Sequence, residues 1–171
     1  MPPIYDPEEV RPMWEILVDI GMTSLTTVAE VEEVVNQKDK TVLCFVNSVC
    51  GCAAGSARPG LALALQNAKI PDELVTVFAG MDQEAVARIR DFMPSIAPTS
   101  PNVVIFKNGE PIYVMERQHI ERMAPQEIAS HLSSFFDEHC TGQGPSVPRE
   151  VYDNLLEVDV CGCSLSTNPQ N

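Results

Sequence analysis

Residues 41–49, TVLCFVNSV, are a β-branched and apolar run that ends in Cys50-Gly51-Cys52. The next stretch, AAGSARPGLALALQNAK, is rich in Ala and Leu. No other feature constrains the fold as much. A short apolar run without alternation reads as a strand buried on both faces. The stretch behind it reads as a helix, although Gly55 and Pro59 lie inside it; Pro59 removes one backbone hydrogen bond and predicts a kink. The chain therefore sets two thiols at the junction of a buried strand and a helix.

The flanking pattern supplies the remaining layers. From Asp6 to Met22, Val10, Met13, Trp14, Leu17, Val18 and Gly21 recur at spacings of three and four, which predicts an amphipathic helix with Pro7 near its first turn. Thr27-Val-Ala-Glu30 is a capping box that opens a second helix on Val28, Val31, Val34 and Val35. ELVTVFA, residues 73–79, reads as the next strand, and Asp82 as the N-cap of a helix through Arg90. PNVVIFKNGEPIYVMER predicts a hairpin of Val103–Phe106 with Pro111–Met115, turning at 107–110. Pro125 starts a helix to about His139 with an Ile128, Leu132, Phe135 and Phe136 stripe. The order α-α-β-α-β-α-β-β-α argues for an α/β fold with a mixed sheet covered on both faces. From Thr141 the composition is that of a linker. Around 151–160 the pattern suits either a short strand or a helical turn.

A chain of 171 residues holds one domain of about 150 residues and a modest appendage. Its net charge of −13 repels phosphate backbones, so nucleic acid is not an expected partner. Apolar stretches fall short of the roughly 18 residues of a membrane span. The opening MPPIYDPEEVRP has no basic segment followed by an apolar one, so a cytoplasmic location is expected. In that compartment six cysteines point to redox chemistry or metal binding rather than a structural disulfide framework.

A reactive thiol needs positive potential. The unpaired N–H groups of a helix's first turn provide it at Cys50, since Arg58 is the only cation between Thr41 and Gln66. Gly51 lets the backbone bend so that Cys52 closes on Cys50. The ring is one residue smaller than in C-x-x-C, and a strained pair suits exchange better than permanent cross-linking. Ser100-Pro101, ahead of the hairpin, is where a cis-proline would shape a groove beside the cysteines.

NSVCGCAAGSARP (47–59), VTVFAGMDQEA (75–85) and FFDEHC (135–140) together resemble the bacilliredoxin family over about Val10 to Cys140. PNVVIFKNGE is similar to the segment that follows the cis-proline of thioredoxins, with Pro101 in the proline's place. The resemblance implies a thioredoxin-like fold over residues 1–140, with an extra N-terminal helix, and a linker and tail over 141–171. It implies removal of bacillithiol, or another low-molecular-weight thiol, from mixed disulfides on cytosolic proteins. Cys50 would attack and take up the small thiol, and Cys52 would resolve. Gly51, Arg58, Ser100 and Pro101 are the residues expected at the substrate site, where Arg58 either steers an anionic thiol or merely covers the helix. The W-C-G-P-C of thioredoxin itself is missing, and the chain continues for 31 residues past Cys140.

Cys44, inside the strand run, reads as a core thiol, and Cys140 as a peripheral, non-catalytic one. His119 reads as a turn or surface histidine, while His131 and His139 are too far apart for a helical metal pair. A second Cys-Gly-Cys, Cys161 to Cys163, lies in the tail. It suits a redox relay to Cys50 and Cys52, a free tail acting on other proteins, or half of a four-sulfur metal site. Apart from that last reading no metal or cofactor is expected, and the oligomeric state is not specified. Beside the oxidoreductase stand two other functions: a non-enzymatic metal-binding or metal-delivery protein, and a protein disulfide isomerase.

Overall fold

The structure is a computed structural model, and it describes residues 1–157. In chain order the elements are α1 (Pro7–Asp19), β1 (Thr23–Ser24), α2 (Val28–Val35), β2 (Thr41–Asn47), a π-helical turn (Ala53–Ala57), α3 (Arg58–Ala64), β3 (Lys69–Ile70) and β4 (Glu73–Phe78). They continue with α4 (Gln83–Asp91), β5 (Asn102–Lys107), β6 (Glu110–Met115), α5 (Arg117–Ile120), α6 (Pro125–His139), β7 (Gly142–Gln143) and α7 (Arg149–Glu157).

Five strands form one mixed sheet in the order β1-β4-β2-β5-β6. β2 runs parallel to β4 and antiparallel to β5, and every residue of β2 is buried. The reason is packing on both faces. Leu43 and Phe45 join Ile16, Leu17, Leu61, Ile128, Leu132 and Phe136, from α1, α3 and α6, and Leu65 just after α3, in one cluster. Val42, Cys44 and Val46 join Val31, Val35, Val86 and Ile89, from α2 and α4, in the other. Each such apolar side chain contributes about 1.5–3 kcal/mol of burial, and a one-residue slip would exchange the two faces, so the register is firmly set. This is the thioredoxin-like arrangement that the resemblance implies. Among the described residues no helix is long and apolar enough to cross a membrane.

Local signals act as expected in several places. Thr27 and Glu30 form the capping box of α2, with Glu30 Oε2 accepting the Thr27 N–H at 2.9 Å. The hairpin turns through Asn108 and Gly109, both with positive φ (52° and 77°), the geometry that favours Asn-Gly between two strands. Pro59 falls in the first turn of α3, directly after the π-helical turn. Widening the helix there accommodates a ring that would otherwise meet the carbonyl four residues back. Gly60 allows α3 and α6 to approach, since a Cβ on it would stand 2.8 Å from Ile128.

Other details differ from the pattern. Val18 and Val28 are exposed, and on α1 it is Ile16 that turns inward with Leu17. Asp82 occupies the N-cap position of α4, yet its carboxylate accepts the Phe78 N–H at 3.1 Å and makes no cap hydrogen bond. The segment after Cys140 folds onto the domain as far as it is described. β7 pairs with β3, the Ser146 hydroxyl donates to the Ile20 carbonyl at 2.6 Å, and Tyr152 of α7 is buried in the cluster of α1, α3 and α6.

Candidate active site

β2 delivers the chain to the site through a buried polar knot. Asn47, its last residue, donates from Nδ2 to the Met13 carbonyl at 3.0 Å. Its Oδ1 accepts the Ser48 N–H and Arg58 Nη1, each at 2.9 Å. Arg58 Nη1 also donates to the Ser48 carbonyl at 2.9 Å. With 1% of its surface exposed, Arg58 braces the loop from inside and is out of a substrate's reach, unlike the substrate-lining place expected for it.

Cys50 follows, half-buried, at the start of the helical stretch. Its N–H donates to Ser48 Oγ at 3.3 Å, and its carbonyl accepts the Ala53 and Ala54 N–H groups. Its Sγ lies 2.7 Å from Cys52 Sγ, and both are free thiols. Gly51 is exposed, does not adopt positive φ, and a Cβ there would meet nothing within 4 Å. Helical winding, then, closes the two sulfurs on each other, and the glycine between them borders open space.

The two sulfurs are electrostatically unequal. Burial pushes Cys50 up, but hydrogen bonds from Cys52, Ser48 and the Ala53 N–H, together with the Arg117 charge, bring it below the ordinary thiol value. Burial pushes Cys52 up, and its hydrogen bond to Cys50 and the repulsion of a Cys50 thiolate hold it there against Arg117. Cys50 is thus favoured as the thiolate over Cys52.

The Ser100–Pro101 peptide is cis. Val46 pairs with Asn102, so Pro101 stands level with Asn47, where β2 hands over to the cysteine loop. Arg117, at the start of α5, ties this corner together. Its N–H donates to Asn102 Oδ1 at 3.0 Å and its Nη1 to the Ser100 carbonyl at 3.2 Å. Arg117 was not among the sequence candidates, being far along the chain from Cys50 with no motif around it.

The remaining candidates lie elsewhere. Cys44 is fully buried and its thiol is pushed up by desolvation. Cys140 is buried beside Thr41, at the other end of β2, and burial raises it too. Six residue steps at about 3.3 Å put roughly 20 Å between the strand's ends, too far for exchange with Cys50. His119 accepts the Glu116 N–H at Nδ1 and lines a separate cleft with His131. No cluster of three or more metal-ligating side chains occurs among the described residues. Cys161 and Cys163 lie outside the described residues.

Comparison with known proteins agrees with this chemistry. A family model described as disulphide isomerase matches residues 5–140. A bacilliredoxin of Salinibacter ruber is 42% identical over 143 residues, 82% of this chain and 83% of the relative. Bacilliredoxin ABC2045 of Shouchella clausii is 43% identical over 80% of this chain and 94% of its own. A bacilliredoxin of Cytophaga hutchinsonii is 43% identical over 79% of this chain and 99% of its own. With its thiol pair at the strand-to-helix junction of a thioredoxin-like sheet, the chain belongs to the bacilliredoxin family and has a thiol–disulfide redox role.

Proposed function

We propose that the protein reduces mixed disulfides between client proteins and a low-molecular-weight thiol, bacillithiol by family, through Cys50 and Cys52. The observation that carries this reading is the asymmetry of the pair, one sulfur favoured as thiolate and the other as thiol at 2.7 Å. The Cys50 thiolate attacks the small-thiol sulfur; a Cys50–S–S–R bond forms and the client leaves as its thiolate. Cys52 loses its proton and attacks Cys50 Sγ, which expels R–S⁻ and closes the Cys50–Cys52 disulfide. Two electrons, from two small thiols or from one dithiol, reopen it.

Cys161 and Cys163 enter the scheme as an internal dithiol that reduces the Cys50–Cys52 disulfide and becomes a disulfide itself, to be reduced in turn by an external thiol. Its support is the second Cys-Gly-Cys carried on the same chain, four residues beyond Glu157, since a tether that spans two sites raises effective concentration to the millimolar range. Isomerase activity is the second reading, favoured by the description of the matching family.

Mixed-disulfide trapping tests the main reading. Cys52→Ser is expected to accumulate a Cys50 adduct of the small thiol, seen by intact mass, and Cys50→Ser to release no client thiol. Release by Cys50→Ser at the wild-type rate would overturn the assignment. Refolding of a scrambled client decides the isomerase reading.

A further inference from the structure

A cleft of about 240 Å3 opens beside the cis Ser100–Pro101 corner, lined by Ala97, Thr99, Glu116, Arg117, Gln118 and Glu121. Arg117 lines the cleft and also grips the corner that stands level with the cysteine loop, its Nη1 on the Ser100 carbonyl and its N–H on Asn102, whose strand partner is Val46. Its charge favours both thiolates from there. A guanidinium has five N–H donors. Among the described contacts Arg117 commits Nη1 to the Ser100 carbonyl at 3.2 Å and directs Nε to Glu121 at a loose 3.8 Å. Both side chains of that ion pair are nearly half exposed, so it holds the guanidinium weakly. Donors therefore remain for a ligand carboxylate.

The same cleft contains the Glu116 and Glu121 carboxylates. A simple anion would meet them and a net charge of −13, and a simple cation would meet Arg117. A ligand carrying both charges matches the arrangement. We infer that this cleft holds the small-thiol half of the mixed disulfide and selects thiols that carry both a carboxylate, read by Arg117, and an ammonium, read by Glu116 and Glu121. The inference rests on the mixed-disulfide reading above, in which Cys50 attacks the small-thiol sulfur and so needs that half of the substrate beside it.

The test uses the full chain and one client peptide in four mixed disulfides: with cysteine (both charges), 3-mercaptopropionate (carboxylate only), cysteamine (ammonium only) and 2-mercaptoethanol (neither). For each, kcat/KM of R117Q is divided by that of the wild type, which cancels the intrinsic reactivity of the disulfide. The quotient is expected to be about five- to tenfold lower for the two carboxylate-bearing disulfides than for the other two, as befits loss of a charge-assisted hydrogen bond. Arg117→Lys is expected to restore part of the difference. In Glu121→Gln the ammonium-bearing disulfides are expected to fall about two- to threefold relative to those without one. The Arg117 N–H bond to Asn102 is a backbone bond that survives both Arg117 substitutions. If R117Q slows all four by one common factor, Arg117 acts only on the sulfurs and the inference is overturned. If the wild type reduces none of the four but does reduce a bacillithiol mixed disulfide of the same peptide, the two charges are not what is read and the inference is overturned. If it reduces neither, the mixed-disulfide reading itself fails.

Discussion

Arg58 and Asn47 share a hydrogen bond of 2.9 Å inside the core, and through it a residue of α3 sets the end of β2. The same Nη1 holds the Ser48 carbonyl, so one buried side chain fixes the backbone from which Cys50 projects. Replacing it leaves buried acceptors without their donor. Arg58→Met is expected to cost about 2–4 kcal/mol, read as a lowered urea midpoint with an unchanged slope. A change under about 0.5 kcal/mol would show that the knot contributes little.

Cys50 is the thiol held below its ordinary value, so its alkylation should rise with pH to a midpoint lower than that of a free cysteine. Only the thiolate reacts, and at any pH below the ordinary value Cys50 has more of it than Cys52. Iodoacetamide labelling of the reduced protein, followed by peptide mapping, should therefore mark Cys50 before Cys52. Ser48→Ala and Arg117→Gln each remove a group that favours the thiolate, so each should move the midpoint upward. An unmoved midpoint in both would place the origin of the shift in the helix backbone and Cys52 alone.

Two glycines predict opposite outcomes for the same substitution. Gly60→Ala forces a Cβ to within 2.8 Å of Ile128 and is expected to destabilise by about 1–3 kcal/mol. Gly51→Ala meets open space at the first helical position and should be neutral, or stabilising by up to about 1 kcal/mol. Thermal melts of the two variants compare them directly. Any activity lost in a fully folded Gly51→Ala then measures how closely a client approaches the sulfurs.

How much of this was readable beforehand depends on the range of each interaction. Thr27 with Glu30, Asn108 with Gly109, and the 41–49 run are local, and the chain follows them. The thiol pair and the cis-proline level with the end of β2 were also legible, because the motif around Cys50 and the segment after Pro101 are contiguous. Arg117 was not, since it reaches the site only when the hairpin brings α5 back to the cis-proline corner. Arg58 was visible as a cation but not as a buried one, for burial depends on Asn47 and Ser48 presenting acceptors beneath the loop. TGQGPSVP has the composition of a linker, yet Gly142 pairs with Ile70 and the Ser146 N–H donates to the Leu65 carbonyl. Turn-forming residues allow such a path without announcing it.

For the tail, limited oxidation of the full chain followed by cysteine mapping should yield some bonds joining Cys50 or Cys52 to Cys161 or Cys163. Serine at both tail positions should slow reopening of the Cys50–Cys52 disulfide by a dilute external thiol. Only local pairs, with unchanged reopening, would remove the tail from the electron path.

Tyr152 has a practical corollary for protein engineering. It is buried in the cluster that Leu17, Ile20 and Leu65 also share, so a version trimmed after Cys140 would uncover oily surface to water. Such a fragment invites self-association. Fusions and sensors built on this scaffold should join their cargo beyond the last turn of α7.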